Sequence, residues 1–271
     1  VLVMTATPIP RSLALTIYGD LDLSVIDQLP QGRKEIITWA IGEKKRKGMY
    51  KFLRERMNAG EQAYIVCPLV KVSEKMDLSD AEETAQKLQT EIFPDKNIAV
   101  LHGQMKKEDK AEIMENFRLG KIDILVATTV IEVGVDVPNA NLMVVEDADR
   151  FGLSQLHQLR GRVGRGAQES WCFLMAEPNE RLKTLVSTND GFVVAQKDLE
   201  LRGAGEFFGT RQHGEPQMPA LMLTGDVRLL ERTRQTFLQI SRQAAYRDEY
   251  RAVLEAANRR FARSGQFLAR N

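Results

Sequence analysis

Only two cysteines, Cys67 and Cys172, occur among the 271 residues, which excludes a disulfide scaffold. Both lie in apolar, strand-like runs, 63–68 and 171–176, where buried free thiols are commoner than reactive ones. Histidine is scarce as well. His102, His157 and His213 stand at no metal-like spacing from one another or from the cysteines, so the reading includes no metal site and excludes a metal or redox protein. No stretch approaches the ~18–20 apolar residues of a membrane span, and no charged segment precedes an apolar one as in a secretion signal. Charge of one sign is lacking too: 38 Lys+Arg face 37 Asp+Glu, a net +1, and 43% of residues are hydrophobic. Such balance excludes a disordered chain. Internal repeats and low-complexity segments are absent. The length predicts one or two cored domains, with room for a small appendage. The expectation is a soluble, cytoplasmic protein with no membrane partner. The first residue, Val1, already stands inside an apolar strand, as expected of part of something longer.

What is present is an alternation of strands and helices. A strand at 1–5, a helix at 11–18, a β-like 23–29 and a linker at 30–33 come first. From Ile36, strands are predicted at 36 onward, 63–68, 98–101, 122–127, 142–145 and 171–176. The continuous apolar runs at 122–127 and 142–145 suit parallel strands buried on both faces. Helical spacing joins Met49, Phe52, Leu53, Arg56 and Met57 with Gly60 as the stop, and Ile113 with Phe117 before Gly120. Ser79 with Glu82 reads as a capping box ahead of Ala85, Leu88 and Ile92. Residues 153–159 complete the set. Repeated βα units predict an α/β domain, a three-layer doubly wound parallel sheet. After Pro178, Leu182, Leu185 and Val186 share one helical face, and Phe192, Ala195 and Leu199 another, each followed by glycine; this predicts a helical hairpin. Two amphipathic C-terminal helices follow a glycine-rich loop. Between Arg228 and Arg263, nine arginines and no lysine face four acids, a local balance of +5. That end suits either a polyanionic partner or a plain solvated helical face.

Two stretches carry chemistry. In Gln155-Leu-His-Gln-Leu-Arg-Gly-Arg-Val-Gly-Arg-Gly166, Arg162 and Arg165 lie three apart, on one face if helical, and glycines 161, 164 and 166 admit a close partner. Guanidiniums so presented suit the charge that develops on a transferring phosphoryl group. In Val126-Ala-Thr-Thr-Val-Ile-Glu-Val-Gly-Val-Asp-Val-Pro138, a buried strand delivers Thr128 and Thr129 to its carboxyl end, where open α/β sheets bind ligands. Gly134 and Asp136 then either turn back toward a nucleotide or make a capped turn.

These stretches, with Thr5-Ala-Thr-Pro and His102-Gly103 upstream, resemble the second RecA-like domain of a superfamily 2 helicase or translocase. Val1 to Arg11 resembles motif III, the stretch from Val126 motif V, and Gln155 to Gly166 motif VI. Asn189 to Gly214 resembles the TRG element shared by the RecG and transcription-repair coupling factor families, and Thr129-Val-Ile-Glu-Val-Gly-Val-Asp-Val with Gly209-Thr-Arg-Gln212 favours RecG. The resemblance implies a P-loop NTPase-like second helicase domain at 31–178. A motif III remnant of the first RecA-like domain would occupy 1–30, the TRG hairpin and loop 179–215, and a helical tail 216–271. It implies that Arg162 and Arg165 reach the ATP phosphates, with Gly134, Asp136 and Gln158 lining the nucleotide side. Thr5, Thr7, His102 and Thr128 would serve DNA contact or relay, and Arg181, Arg202 and Gln212 would couple domain closure to movement along duplex DNA.

Neither a Gly-x-x-x-x-Gly-Lys-Ser/Thr phosphate loop nor an Asp-Glu-x-His strand end occurs in the sequence. In the family both belong to the preceding domain, which would hold most of the ATP and Mg2+. The chain by itself is therefore expected neither to bind ATP tightly nor to hydrolyse it. As part of a whole enzyme the resemblance implies an ATP-dependent helicase that remodels branched double-stranded DNA in repair and recombination. Its implied partner is a single-stranded DNA-binding protein, and its implied state is monomeric. The competing readings are a coupling-factor translocase module and a binding module without catalysis.

Overall fold

The computed structural model describes Ile26 and residues 34–68, 74–128, 137–166, 168–202 and 227–262, with no side-chain account for 74–79, 199, 202, 227–231, 234, 244 and 260–262. Thr5, Thr7, Gly134, Asp136 and Gln212 lie outside the described residues, as do the elements expected over 1–33, Ile26 excepted. The described residues fall into two compact units, 34–202 and 227–262.

The first unit is built on six parallel strands: β1 (Ile36–Ile41), β2 (Gln62–Val66), β3 (Ile98–Leu101), β4 (Ile124–Ala127), β5 (Ala140–Val145) and β6 (Ser170–Met175), in the order β1-β6-β5-β2-β4-β3. Side chains alternate between two faces, as the period of a strand requires. Tyr64, Val66, Leu125, Ala127, Met143 and Val145 enter one core, whereas Ala63, Ile65, Ile124, Val126, Leu142 and Val144 enter the other. The second core is closed by α1 (Arg46–Asn58), through Met49, Leu53 and Met57, and by α2 (Glu74–Lys87), through Ala81 and Ala85. The first is closed by α3 (Lys107–Arg118), α4 (Leu153–Arg160), α5 (Glu180–Ser187) and α6 (Gly191–Arg202). The three-layer doubly wound sheet is therefore present, and the helices before Gly60 and Gly120 end two residues ahead of those glycines.

Three local expectations are corrected. Ser79 is the sixth residue of α2, not its cap, because the helix-favouring stretch Glu74-Lys-Met-Asp-Leu78 lets the helix begin earlier. The hairpin helices are not both closed by glycine: α5 ends on extended Thr188, and Gly191 opens α6. On α5, Leu182 and Leu185 turn inward but Val186 is exposed; on α6, Val194, Ala195 and Asp198 are buried and Phe192 only half so.

The second unit contains α7 (Val227–Arg242) and α8 (Arg247–Ala262), joined by a 3-10 turn at Ala244–Tyr246. The Phe237 and Tyr250 rings meet with centroids 5.5 Å apart. Both predicted tail helices are present. Among the described residues no helix is long and apolar enough to cross a membrane.

Candidate functional site

The parallel sheet puts all strand carboxyl ends on one edge. There Thr128 follows β4 and His102 follows β3, adjoining the last register pair, Leu101 with Ala127. The Thr128 amide donates to the Leu101 carbonyl at 3.3 Å. Thr128 is 2% exposed, and among the described residues its Oγ1 and the buried His102 Nδ1 have no hydrogen-bond partner. Each unpartnered buried polar atom costs about 1–3 kcal/mol.

The neighbouring crevice, between β2 and β5, is the switch point where the connections leave in opposite directions. Open α/β sheets commonly bind ligands at such a point. Here it holds the chain's own ion pair. The Glu146 amide donates to Val66 O at 2.8 Å, and its carboxylate receives Arg46 Nη1 at 2.6 Å and Nη2 at 2.8 Å. Arg46 Nε donates to Glu43 at 2.7 Å and Nη1 to the Tyr50 hydroxyl at 3.2 Å. The Glu146 hydrogen bond outweighs burial and raises the Arg46 pKa, while burial raises that of Tyr50. Sequence reasoning missed this pair, because 100 residues separate its members and neither sits in a motif. Burial pushes the Cys67 thiol up to about 11 and Cys172 to about 12, so both are protonated near neutrality and chemically quiet.

The arginine stretch is at the opposite edge. α4 ends at Arg160, so Arg162 and Arg165 are not on a helix, which corrects the one-face reading. The helix stops because Val163 is drawn into the core and Gly164 adopts φ +76°. A Cβ on Gly164 would stand 3.0 Å from Ile36 Cγ1, at the start of β1; one on Gly166 would stand 2.7 Å from the Pro138 carbonyl, just before β5. Both glycines therefore admit the domain's own backbone and core rather than a foreign partner. The turn they build leaves Arg162 half-buried and Arg165 exposed, with Gln158 half-buried on α4. Pro138, just before β5, reaches this edge, whereas Gly134 and Asp136 lie outside the described residues.

The structure thus groups His102 with Thr128, and Arg162 with Arg165, and separates the two groups by the depth of the sheet, roughly 13–20 Å for strands of this length. α4 spans that depth. Arg181, at the start of α5, donates through Nη1 to the Phe151 carbonyl just ahead of α4 at 3.0 Å. Arg202 is the last residue of α6. Clustered guanidiniums fit an anionic ligand such as a triphosphate. Among the described residues no group of three or more His, Cys, Asp or Glu could hold a metal ion, so no step is assigned to Mg2+.

Residues 44–167 match the family described as Helicase conserved C-terminal domain. The ATP-dependent DNA helicase RecG of Thermotoga maritima is 48% identical over 244 residues, 88% of this chain and 31% of that protein. RecG of Bacillus subtilis is 48% identical over 241 residues, 87% of this chain and 35% of that protein. A solved structure of RecG bound to a three-way DNA junction superposes with a TM-score of 0.65 at 46% identity, covering 83% of this chain and 30% of that one. The chain spans about a third of the length of the curated relatives it matches.

Proposed function

Because this chain belongs to the RecG family of helicases, we propose that it is one lobe of an ATP-dependent motor that moves along double-stranded DNA and remodels branched junctions, as in fork regression and Holliday-junction unwinding during repair and recombination. The observation that carries the reading is the division of the domain into two edges, arginines at one and, at the other, polar atoms with no partner among the described residues. A motor needs its nucleotide and its track on separate surfaces joined by stiff structure.

At the amino edge, Arg162 and Arg165 meet the γ-phosphoryl group of ATP held, with Mg2+, by a domain outside this chain. Preorganised guanidiniums stabilise the charge of the transition state, a contribution of about 10³–10⁵ in rate. Gly134, Asp136 and Gln158 line the same side. At the carboxyl edge, Thr128 and His102 serve contact with the DNA backbone, and Thr5 and Thr7 relay between the two ligands. Arg181, Arg202 and Gln212 belong to the hairpin and loop that push the duplex. The corresponding division of the chain is 1–30, 31–178, 179–215 and 216–271. A monomer with a single-stranded DNA-binding protein as its protein partner completes the proposal.

In the full-length protein, Arg165→Ala removes DNA-stimulated ATPase by about 10³-fold while fork binding stays intact. Steady-state ATPase and fork-binding titrations read both quantities. ATPase retained in Arg165→Ala sinks the phosphate role. Gln212→Ala keeps ATPase and loses fork unwinding; unwinding that survives sinks the coupling role of the loop.

A further inference from the structure

The arginine turn is held on both of its limbs. On the entry side it leaves α4, whose last residue, Arg160, is 3% exposed and donates through Nη1 to the carbonyls of Leu185 at 2.7 Å and Thr188 at 2.9 Å. The amides of Arg162 and Val163 then donate back to the carbonyls of Leu159 at 3.0 Å and Arg160 at 3.3 Å, and Val163 is wholly buried. The exit side runs from Arg165 to Ser170, the first residue of β6. Such a connecting stretch keeps one position only where other groups tie it down.

Asn141, near the start of β5, provides that tie. In the pairing of β2 with β5, Gln62 stands opposite Ala140 and Ala63 opposite Leu142, so Asn141 is one residue more than the partner strand has. The extra residue breaks the alternation of β5: Ala140 enters the first core and Leu142, two places on, the second. Bulges are rare in parallel pairs, and where one occurs it re-aims a side chain. Here the side chain is 1% exposed and turns its amide to the exit limb. Asn141 Nδ2 donates to Gln168 Oε1 at 3.2 Å, and Asn141 Oδ1 accepts from Ser170 Oγ, itself on a residue 1% exposed, at 3.2 Å. Ser170 Oγ in turn stands 3.6 Å from the place of a Cβ on Gly164, while the Pro138 carbonyl lies against Gly166. One buried amide thus ties the start of β5 to two points beyond Arg165.

We propose that Asn141, set by its β-bulge, is a positioning residue for ATP hydrolysis: it fixes the exit limb of the 162–166 turn, and with it the direction of the Arg165 guanidinium. The inference rests on the function proposed above, in which Arg165 meets the γ-phosphoryl group, and adds the group that aims it. A guanidinium on a long flexible stem stabilises transition-state charge only where its own backbone is held still. A buried amide with both ends satisfied supplies that stiffness, because letting go strands the Ser170 hydroxyl away from water.

The test uses the full-length protein with Asn141→Ala and Gln168→Ala, each alone and combined with Arg165→Ala. Lost aim weakens the contact made in the transition state and spares the binding of ATP itself. The kcat of DNA-stimulated ATPase therefore falls about tenfold or more in Asn141→Ala, while KM for ATP stays within about twofold. Gln168→Ala, at an exposed position, shows a smaller fall of the same kind. Beside Arg165→Ala neither substitution lowers the residual single-turnover rate further, since a residue that acts through Arg165 has nothing left to aim. Wild-type kcat in folded Asn141→Ala overturns the proposal, as does an equal loss with and without Arg165, the mark of a merely structural residue. Should Asn141→Ala fail to fold, the same two readings in Gln168→Ala decide. ATPase retained in Arg165→Ala removes the motor reading and this inference with it, whereas ATPase lost there and kept in Asn141→Ala removes this inference alone.

Discussion

Gly166 shows how a single atom shapes the arginine turn. Its missing Cβ would lie 2.7 Å from the Pro138 carbonyl, and a backbone oxygen tied to the start of β5 has little room to yield. Gly166→Ala is expected to destabilise the chain by about 1–3 kcal/mol in urea unfolding. Gly161 provides the contrast, since a Cβ there would meet its nearest neighbours at 3.4 and 3.5 Å, ordinary contact. Gly161→Ala should change stability by less than about 0.5 kcal/mol. Equal costs for the two would show that glycine serves this turn in some way other than close approach. Arg160 was hidden at this scale because it stands directly before glycines and arginines that read as chemistry. One signal was there to find: it stands four residues after Leu156, and so shares the inward stripe of α4 with that leucine.

Strands were the most legible elements. A run such as Ile122-Asp-Ile-Leu-Val-Ala127 has no solvated face to alternate with, so its burial on both sides shows in composition alone, although the strand itself starts at Ile124. Helix starts were less legible. Ser79 and Glu82 have the right spacing for a cap, but a cap needs a non-helical residue, and nothing in those four residues reports what precedes them. The structure places Ser79 in the sixth position of α2, where its substitution removes no cap. Ser79→Ala is therefore expected to leave stability within about 0.5 kcal/mol or raise it slightly, because alanine is the better helix former. A loss of about 1 kcal/mol or more in thermal unfolding would restore the cap.

At the scale of the molecule, the described residues include no group of His, Cys, Asp or Glu that could hold a metal ion, and the sequence has no phosphate loop. The purified chain is accordingly expected to show no ATPase above background, with or without fork DNA. Turnover abolished by Arg165→Ala in that preparation would overturn the division of the site between lobes. The sequence by itself determined the sheet and its flanking helices, because burial and periodicity are local properties of a chain. Only the tertiary structure decided that Arg162 and Arg165 stand at one edge and Thr128 and His102 at the other. It alone decided that Arg46 and Glu146 fill the switch point and that Arg160 fastens α4 to α5. These are pairings across 25 to 100 residues, set by which strands lie side by side; no local pattern records that order.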